Sequence, residues 1–165
     1  MSNRYLYNQI KERILENKAI VIYGPRQVGK TTLVKKLLNG FNQNDVEYLS
    51  GDDPKTQALL DSKGVVELKE IFKNKKIIFI DEAQYINNIG ITVKLIVDQI
   101  PELKLFLTGS SSFELRSQIA EPMTGRTNIF HMYPMSLSEI SEERNIRDFE
   151  KDIILSEMLV YGGYP

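Results

Sequence analysis

The residues Gly24-Pro25-Arg26-Gln27-Val28-Gly29-Lys30-Thr31 fill every fixed position of the spacing G-x-x-x-x-G-K-[ST], a pattern whose chemistry is phosphate binding. Gly24 and Gly29 let the backbone curl around a phosphate with no Cβ in the way. Successive N–H groups then point inward beside a helix N-terminus that already favours anions. Lys30 supplies a point charge for β- and γ-phosphates, and the Thr31 hydroxyl is suited to ligate Mg²⁺. Thr32 follows directly, so residues 24–32 together are the expected nucleotide-binding run. The alternative is a glycine-rich turn ahead of an ordinary helix.

A second set of polar residues falls where a partner for that loop is needed. Asp81 and Glu82 follow the apolar run Ile77-Ile78-Phe79-Ile80, and in an open parallel sheet ligands lie beyond the carboxyl ends of the strands. There Asp81 can hold a Mg²⁺-bound water opposite Thr31, and Glu82 can orient and deprotonate an attacking water. The alternative for this pair is an acidic strand end that caps the next helix. Thr108 and Ser110 end a neighbouring apolar run. Either hydroxyl could sense a γ-phosphate, although turn chemistry also selects serine and glycine there. Gln84 is a polar candidate beside Glu82, or an exposed helix residue.

Arg126 precedes the last strand candidate, at the amino end of the strands and away from its own phosphate site. It therefore acts either as an arginine finger on a neighbouring subunit or as a structural ion pair or loop anchor. Arg116 is a weaker candidate of the same kind. His131 reads as a structural residue, and Asp53 as a helix cap.

The elements that must position these groups are legible in the hydrophobic pattern. Ala19–Tyr23 is a short apolar, β-branched run of the type buried on both faces, and Thr32–Leu38 switches to helical spacing with Asn39-Gly40 as a stop. Before them, 4–17 is expected as an amphipathic helix through Leu6, Ile10 and Ile14, with Asn3 as a possible cap. Further strands are expected at 45–49, 75–80, 103–107 and 127–132. Helices are expected at 54–60, opened by Asp53-Pro54, at 65–72 with Val66, Leu68 and Ile71 apolar, and at 91–100, stopped by Pro101. Two more are expected at 113–120 and 148–160. Alternation of strands and helices predicts a parallel sheet with right-handed crossovers.

Composition excludes several other chemistries. The chain has 165 residues, no cysteine and one histidine, which rules out disulfides, thiolate sites and a histidine metal cluster. With 21 basic and 22 acidic residues the formal charge is −1, so no bulk field draws it to nucleic acid or anionic lipid. No apolar run approaches the roughly 20 residues of a membrane span, and a cytoplasmic location is the default expectation.

The stretches 24–32, 77–84, 107–112 and Gly125-Arg126 together resemble prokaryotic AAA-family P-loop ATPases related to the archaeal ATPase and STAND groups. More narrowly, the 24–32 run, Asp81-Glu82-Ala83-Gln84, Tyr133-Pro134-Met135-Ser136 and the closing Gly162-Gly163-Tyr164-Pro165 resemble the ATPase half of two-domain proteins. The resemblance spans nearly the whole chain. It implies a three-layer α/β sandwich around a five-stranded parallel sheet of order 5-1-4-3-2. ATP and Mg²⁺ are the implied ligands, with Walker A, Walker B and sensor roles for the residues named above. Residues 1–165 would be one ATPase domain, with a second domain expected after Pro165 and self-association through Arg126 a possible consequence. Preference for ATP over GTP rests on the resemblance; the guanine-reading N-K-x-D pattern is absent. Three activities stay open: Mg²⁺-dependent ATP hydrolysis, a nucleotide-dependent switch with little turnover and, last, a kinase for a small hydroxyl substrate, for which nothing in the sequence marks an acceptor site.

Overall fold

A computed structural model describes residues 4–110, 124–147 and 150–164. Its centre is β1 (Ala19–Tyr23), in which all five residues are buried. Each buried Ile or Val there contributes about 1.5–3 kcal/mol of hydrophobic stabilisation. Around it stand β2 (Val46–Ser50), β3 (Ile77–Asp81), β4 (Lys104–Gly109) and β5 (Thr127–His131), all parallel, in the order β2-β3-β4-β1-β5. This is the expected order 5-1-4-3-2 read from the other edge.

Period-two alternation divides the strand residues between two helical layers. Ile20, Ile22, Ile77, Phe79 and Phe106 pack with α1 (Tyr5–Arg13) and α2 (Lys30–Leu38). Val21, Tyr23, Ile78, Ile80, Leu105 and Leu107 pack with α3 (Pro54–Leu60), α4 (Val65–Ile71) and α5 (Ile89–Gln99). Edge strands β2 and β5 are only partly buried. A smaller apolar cluster of Met135, Ile140 and Ile154 joins α6 (Leu137–Arg144) to α7 (Lys151–Tyr161).

Several boundaries differ from the sequence expectation. The first helix ends at Arg13, and Arg4 sits at its N-cap without a side-chain cap. Instead the buried Arg4 donates to the Tyr133 carbonyl and lies 3.7 Å from Glu139. Asn3 lies outside the described residues. Strand β4 runs on to Gly109, which brings Thr108 into the sheet interior. Helix α5 starts at Ile89, so Ile89, Val93 and Ile96 set the buried face. Ile91, about 200° round the helix from Ile89, is exposed, as is Val66 of α4.

Helix α6 has no counterpart among the expected elements, yet its signal is in the chain. Ser136 accepts from the Glu139 N–H at 3.2 Å, and Glu139 accepts from the Ser136 N–H at 2.9 Å, the reciprocal capping box. The helix expected at 113–120, with Arg116, Ser111, Ser112 and most of the following turn, lies outside the described residues. The Asp53-Pro54 start is found as read, with Asp53 Oδ1 accepting from the Lys55 N–H at 3.1 Å.

Candidate functional site

The 24–32 loop leaves the carboxyl end of β1 and enters α2 with Gly29, at φ 92°, as its N-cap. Gln27, without glycine's freedom, also adopts positive φ, at 65°. Such a residue costs on the order of 1–3 kcal/mol and persists where its surroundings enforce it. Val28 anchors the loop by burying its side chain among Leu33, Val34 and Met132. The need for glycine at position 24 has a source the pattern does not reveal. A Cβ there would overlap the carbonyl oxygen of Met132, just past β5.

Gln27, Gly29, Lys30, Thr31, Thr32 and Glu82 line a cleft of about 450 Å³. Lys30 is 5% exposed, and its ammonium donates to the carbonyls of Gly24 and Pro25, both at 2.8 Å. Burial pulls its pKa below the ordinary lysine value, while Glu82 and then Asp81 oppose that shift. The cation is thus tethered by its own loop, within electrostatic reach of Glu82, which lines the cleft, and of Asp81.

Asp81 ends β3 on the face turned to α2, because Ile77, Phe79 and Asp81 alternate together. Its Oδ2 accepts from the Thr31 hydroxyl at 2.8 Å and from the Tyr48 phenol at 3.2 Å. Its Oδ1 accepts from the Thr108 hydroxyl. Of the two hydroxyls weighed as sensors, Thr108 therefore serves Asp81. Ser110 accepts from Gln84 Nε2 at 3.1 Å. The same amide donates to Glu82 Oε2 at 2.6 Å, so Gln84 stands beside Glu82 as a buried partner. Glu82 itself is in the left-handed region, φ 50° and ψ 46°.

Magnesium takes oxygen donors, and protein sites for it commonly supply one or two carboxylates plus substrate phosphates and water. Thr31, which lines the cleft, and Asp81, which accepts from its Oγ1, are a donor set that fits this pattern.

Arg126 lies at the opposite end of the strands, where its carbonyl accepts from the Ala19 N–H at 2.9 Å. Its Nε donates to Asp98 Oδ1 at 2.6 Å. That bond raises the Arg126 pKa and lowers that of Asp98. Arg26 is exposed and donates to the Tyr85 phenol at 3.1 Å. His131 is exposed at the end of β5, with ring neighbours Tyr23 and Tyr133.

Two contributors escape sequence reasoning. Tyr48 reaches Asp81 from β2, its phenol pKa pushed up by burial and then by the Asp81 charge. Gly51 donates its N–H to the Asp81 carbonyl at 2.7 Å, and a Cβ there would strike the Glu82 carbonyl. A Gly51-Asp52-Asp53 run is of the composition that favours a turn, which is the signal the sequence holds for Gly51.

A family model described as an AAA domain matches residues 16–141. An uncharacterized protein of Methanocaldococcus jannaschii is 28% identical over 173 residues, covering 98% of this chain and 39% of that protein. The Walker-type ATPase of Pyrococcus abyssi has a similar structure, with TM-score 0.67, 19% identity and coverage of 100% of this chain and 65% of that one. The ORC2 protein of Aeropyrum pernix, solved as ADPNP-ADP complexes, gives TM-score 0.55 at 18% identity, with coverages of 87% and 51%. These two likenesses establish the P-loop fold. This chain spans 39% of the length of the M. jannaschii relative.

Proposed function

This chain belongs to the AAA domain family, and from that premise we propose that it binds ATP with Mg²⁺ and hydrolyses it to ADP and inorganic phosphate. The observation that carries the reading is the 2.8 Å bond between Thr31 and Asp81 at a cleft bounded by Lys30 and Glu82. The ADPNP-ADP complexes of the ORC2 structure support an adenine nucleotide.

In this reading the loop amides and Lys30 bind the β- and γ-phosphates, Lys30 exchanging its carbonyl partners for phosphate oxygens. Thr31 and Asp81 would hold the magnesium ion. Magnesium, when bound, would neutralise charge on the β- and γ-oxygens. Glu82 accepts the proton of a water whose oxygen bonds to the γ-phosphorus, while the bond to the bridging oxygen breaks and ADP leaves. Ser110, tied to Glu82 through Gln84, reports the γ-phosphate. Arg126, remote from its own cleft, acts only on a neighbouring copy. A second domain, implied by the resemblance, would be what the nucleotide state acts upon.

Colorimetric phosphate release decides between this and other readings: activity that disappears in Lys30→Ala supports it, and release equal to wild type in that variant overturns it. One observation favours a slower device. Glu82 is held by Gln84 at 2.6 Å, which suits a nucleotide switch with little turnover. Nucleotide retained through purification, with slow single-turnover conversion, would identify the switch.

A further inference from the structure

We propose that Tyr48 is a positioning residue for Asp81, holding the carboxylate in the orientation from which it grips magnesium or its bound water. The proposal rests on the reading of the cleft as a magnesium-nucleotide site.

The parallel register sets Tyr48 opposite Phe79 and Ser50 opposite Asp81. Tyr48, Phe79 and Asp81 therefore share the face turned to α2. The next same-face position lies about 6.6 Å along a strand, and a tyrosine spans that gap to place its hydroxyl 3.2 Å from Asp81 Oδ2. A phenylalanine would fill the same space and offer no donor.

The ring is fixed on two sides. It packs edge-on against Phe79, with centroids 4.8 Å apart and planes at 86°. Above it, Lys35 Nζ lies 4.8 Å from the centroid. Lys35 is one helical turn beyond Thr31, so the helix that carries the metal-ligating hydroxyl also clamps the ring.

The three donors to Asp81 differ in what they can do. Thr31 belongs to the cleft, and Thr108 also accepts from the Glu82 N–H at 3.4 Å. Tyr48 comes from an edge strand, and its phenol touches Asp81 alone among the hydrogen bonds of the described residues. Its contribution is orientation: with Thr31 on Oδ2 and Thr108 on Oδ1, a further donor from the β2 side restrains rotation of the carboxylate. Partners of this kind behind a metal ligand typically contribute 10–100-fold in metal affinity.

The test is Tyr48→Phe, read by titrating a fluorescent ADP analogue in EDTA and then across a magnesium series. Unchanged affinity in EDTA is expected, with the magnesium concentration for half-maximal tightening raised roughly tenfold or more. In an Asp81→Asn background the same substitution should add nothing, because the group it positions has been altered. An unchanged magnesium requirement overturns the proposal. So does an equal loss of affinity in EDTA, which would assign Tyr48 to packing or phosphate binding. Wild-type binding indifferent to magnesium would sink the underlying site reading, and is distinguished by appearing before any substitution is made.

Discussion

The Glu82 carboxylate accepts a 2.6 Å hydrogen bond from the side-chain amide of Gln84, two residues further along the chain. A general base must offer a lone pair to water, and one carboxylate oxygen of Glu82, a residue that lines the cleft, is committed to Gln84 in this state. Glu82→Gln should retain nucleotide binding and lose about 10²–10⁴-fold in turnover, the usual contribution of a positioned base. Phosphate release alongside calorimetric binding measures both. Turnover at the wild-type rate would mean that the base lies elsewhere.

Gly24→Ala probes packing behind the loop. The added methyl meets a backbone carbonyl at Met132, which cannot move aside as a flexible side chain would. A loss of about 1–3 kcal/mol in chemical denaturation is expected, the range for overpacking. Gly40→Ala is the control, since its Cβ would meet nothing within 4 Å. Equal midpoints for the two variants would refute the argument.

Glu16 links the loop after α1 to β5, accepting from Asn128 Nδ2 at 3.0 Å and Arg13 at 2.8 Å. The Asn128 bond first, then Arg13, pulls its pKa from 4.5 to about 2. A carboxyl whose folded pKa is depressed adds stability above its unfolded pKa and loses it as pH falls through the folded value. Thermal melts between about pH 4.5 and 2 should fall more steeply for wild type than for Glu16→Gln. Parallel curves would show that this pairing does not couple to folding.

Arg126 offers a test of assembly. If it acts across an interface, Arg126→Ala should leave nucleotide affinity unchanged and lower turnover by roughly 10³-fold or more. Asp98→Ala, which removes its present partner, should retain turnover. Activity per chain should also rise with protein concentration. Matching, concentration-independent rates for both variants would leave Arg126 as the ion-pair partner of Asp98 only.

The 24–32 loop, the buried central strand and the Asp53-Pro54 helix start were legible because each is encoded within a few neighbouring residues. A loop that needs glycine at fixed spacing, a β-branched run and a cap followed by proline are local free-energy preferences. The Ser136/Glu139 capping box was equally local and equally readable. Asp81 and Glu82 could be placed at a strand tip from the apolar run before them, and the strand order followed from the family resemblance. What surrounds Asp81 could not be read in this way. Its donors Thr108, Tyr48 and Thr31 are 27, 33 and 50 residues away in sequence. Which of them meet it depends on the register of β2, β3 and β4 and on the α2 face above them. That register is set by burial summed over the whole sheet, since a one-residue slip would turn every side chain to the other face. The close approach of Gly24 to the Met132 carbonyl and the remoteness of Arg126 from its own cleft are decided the same way, by where the crossover connections lay the strands side by side.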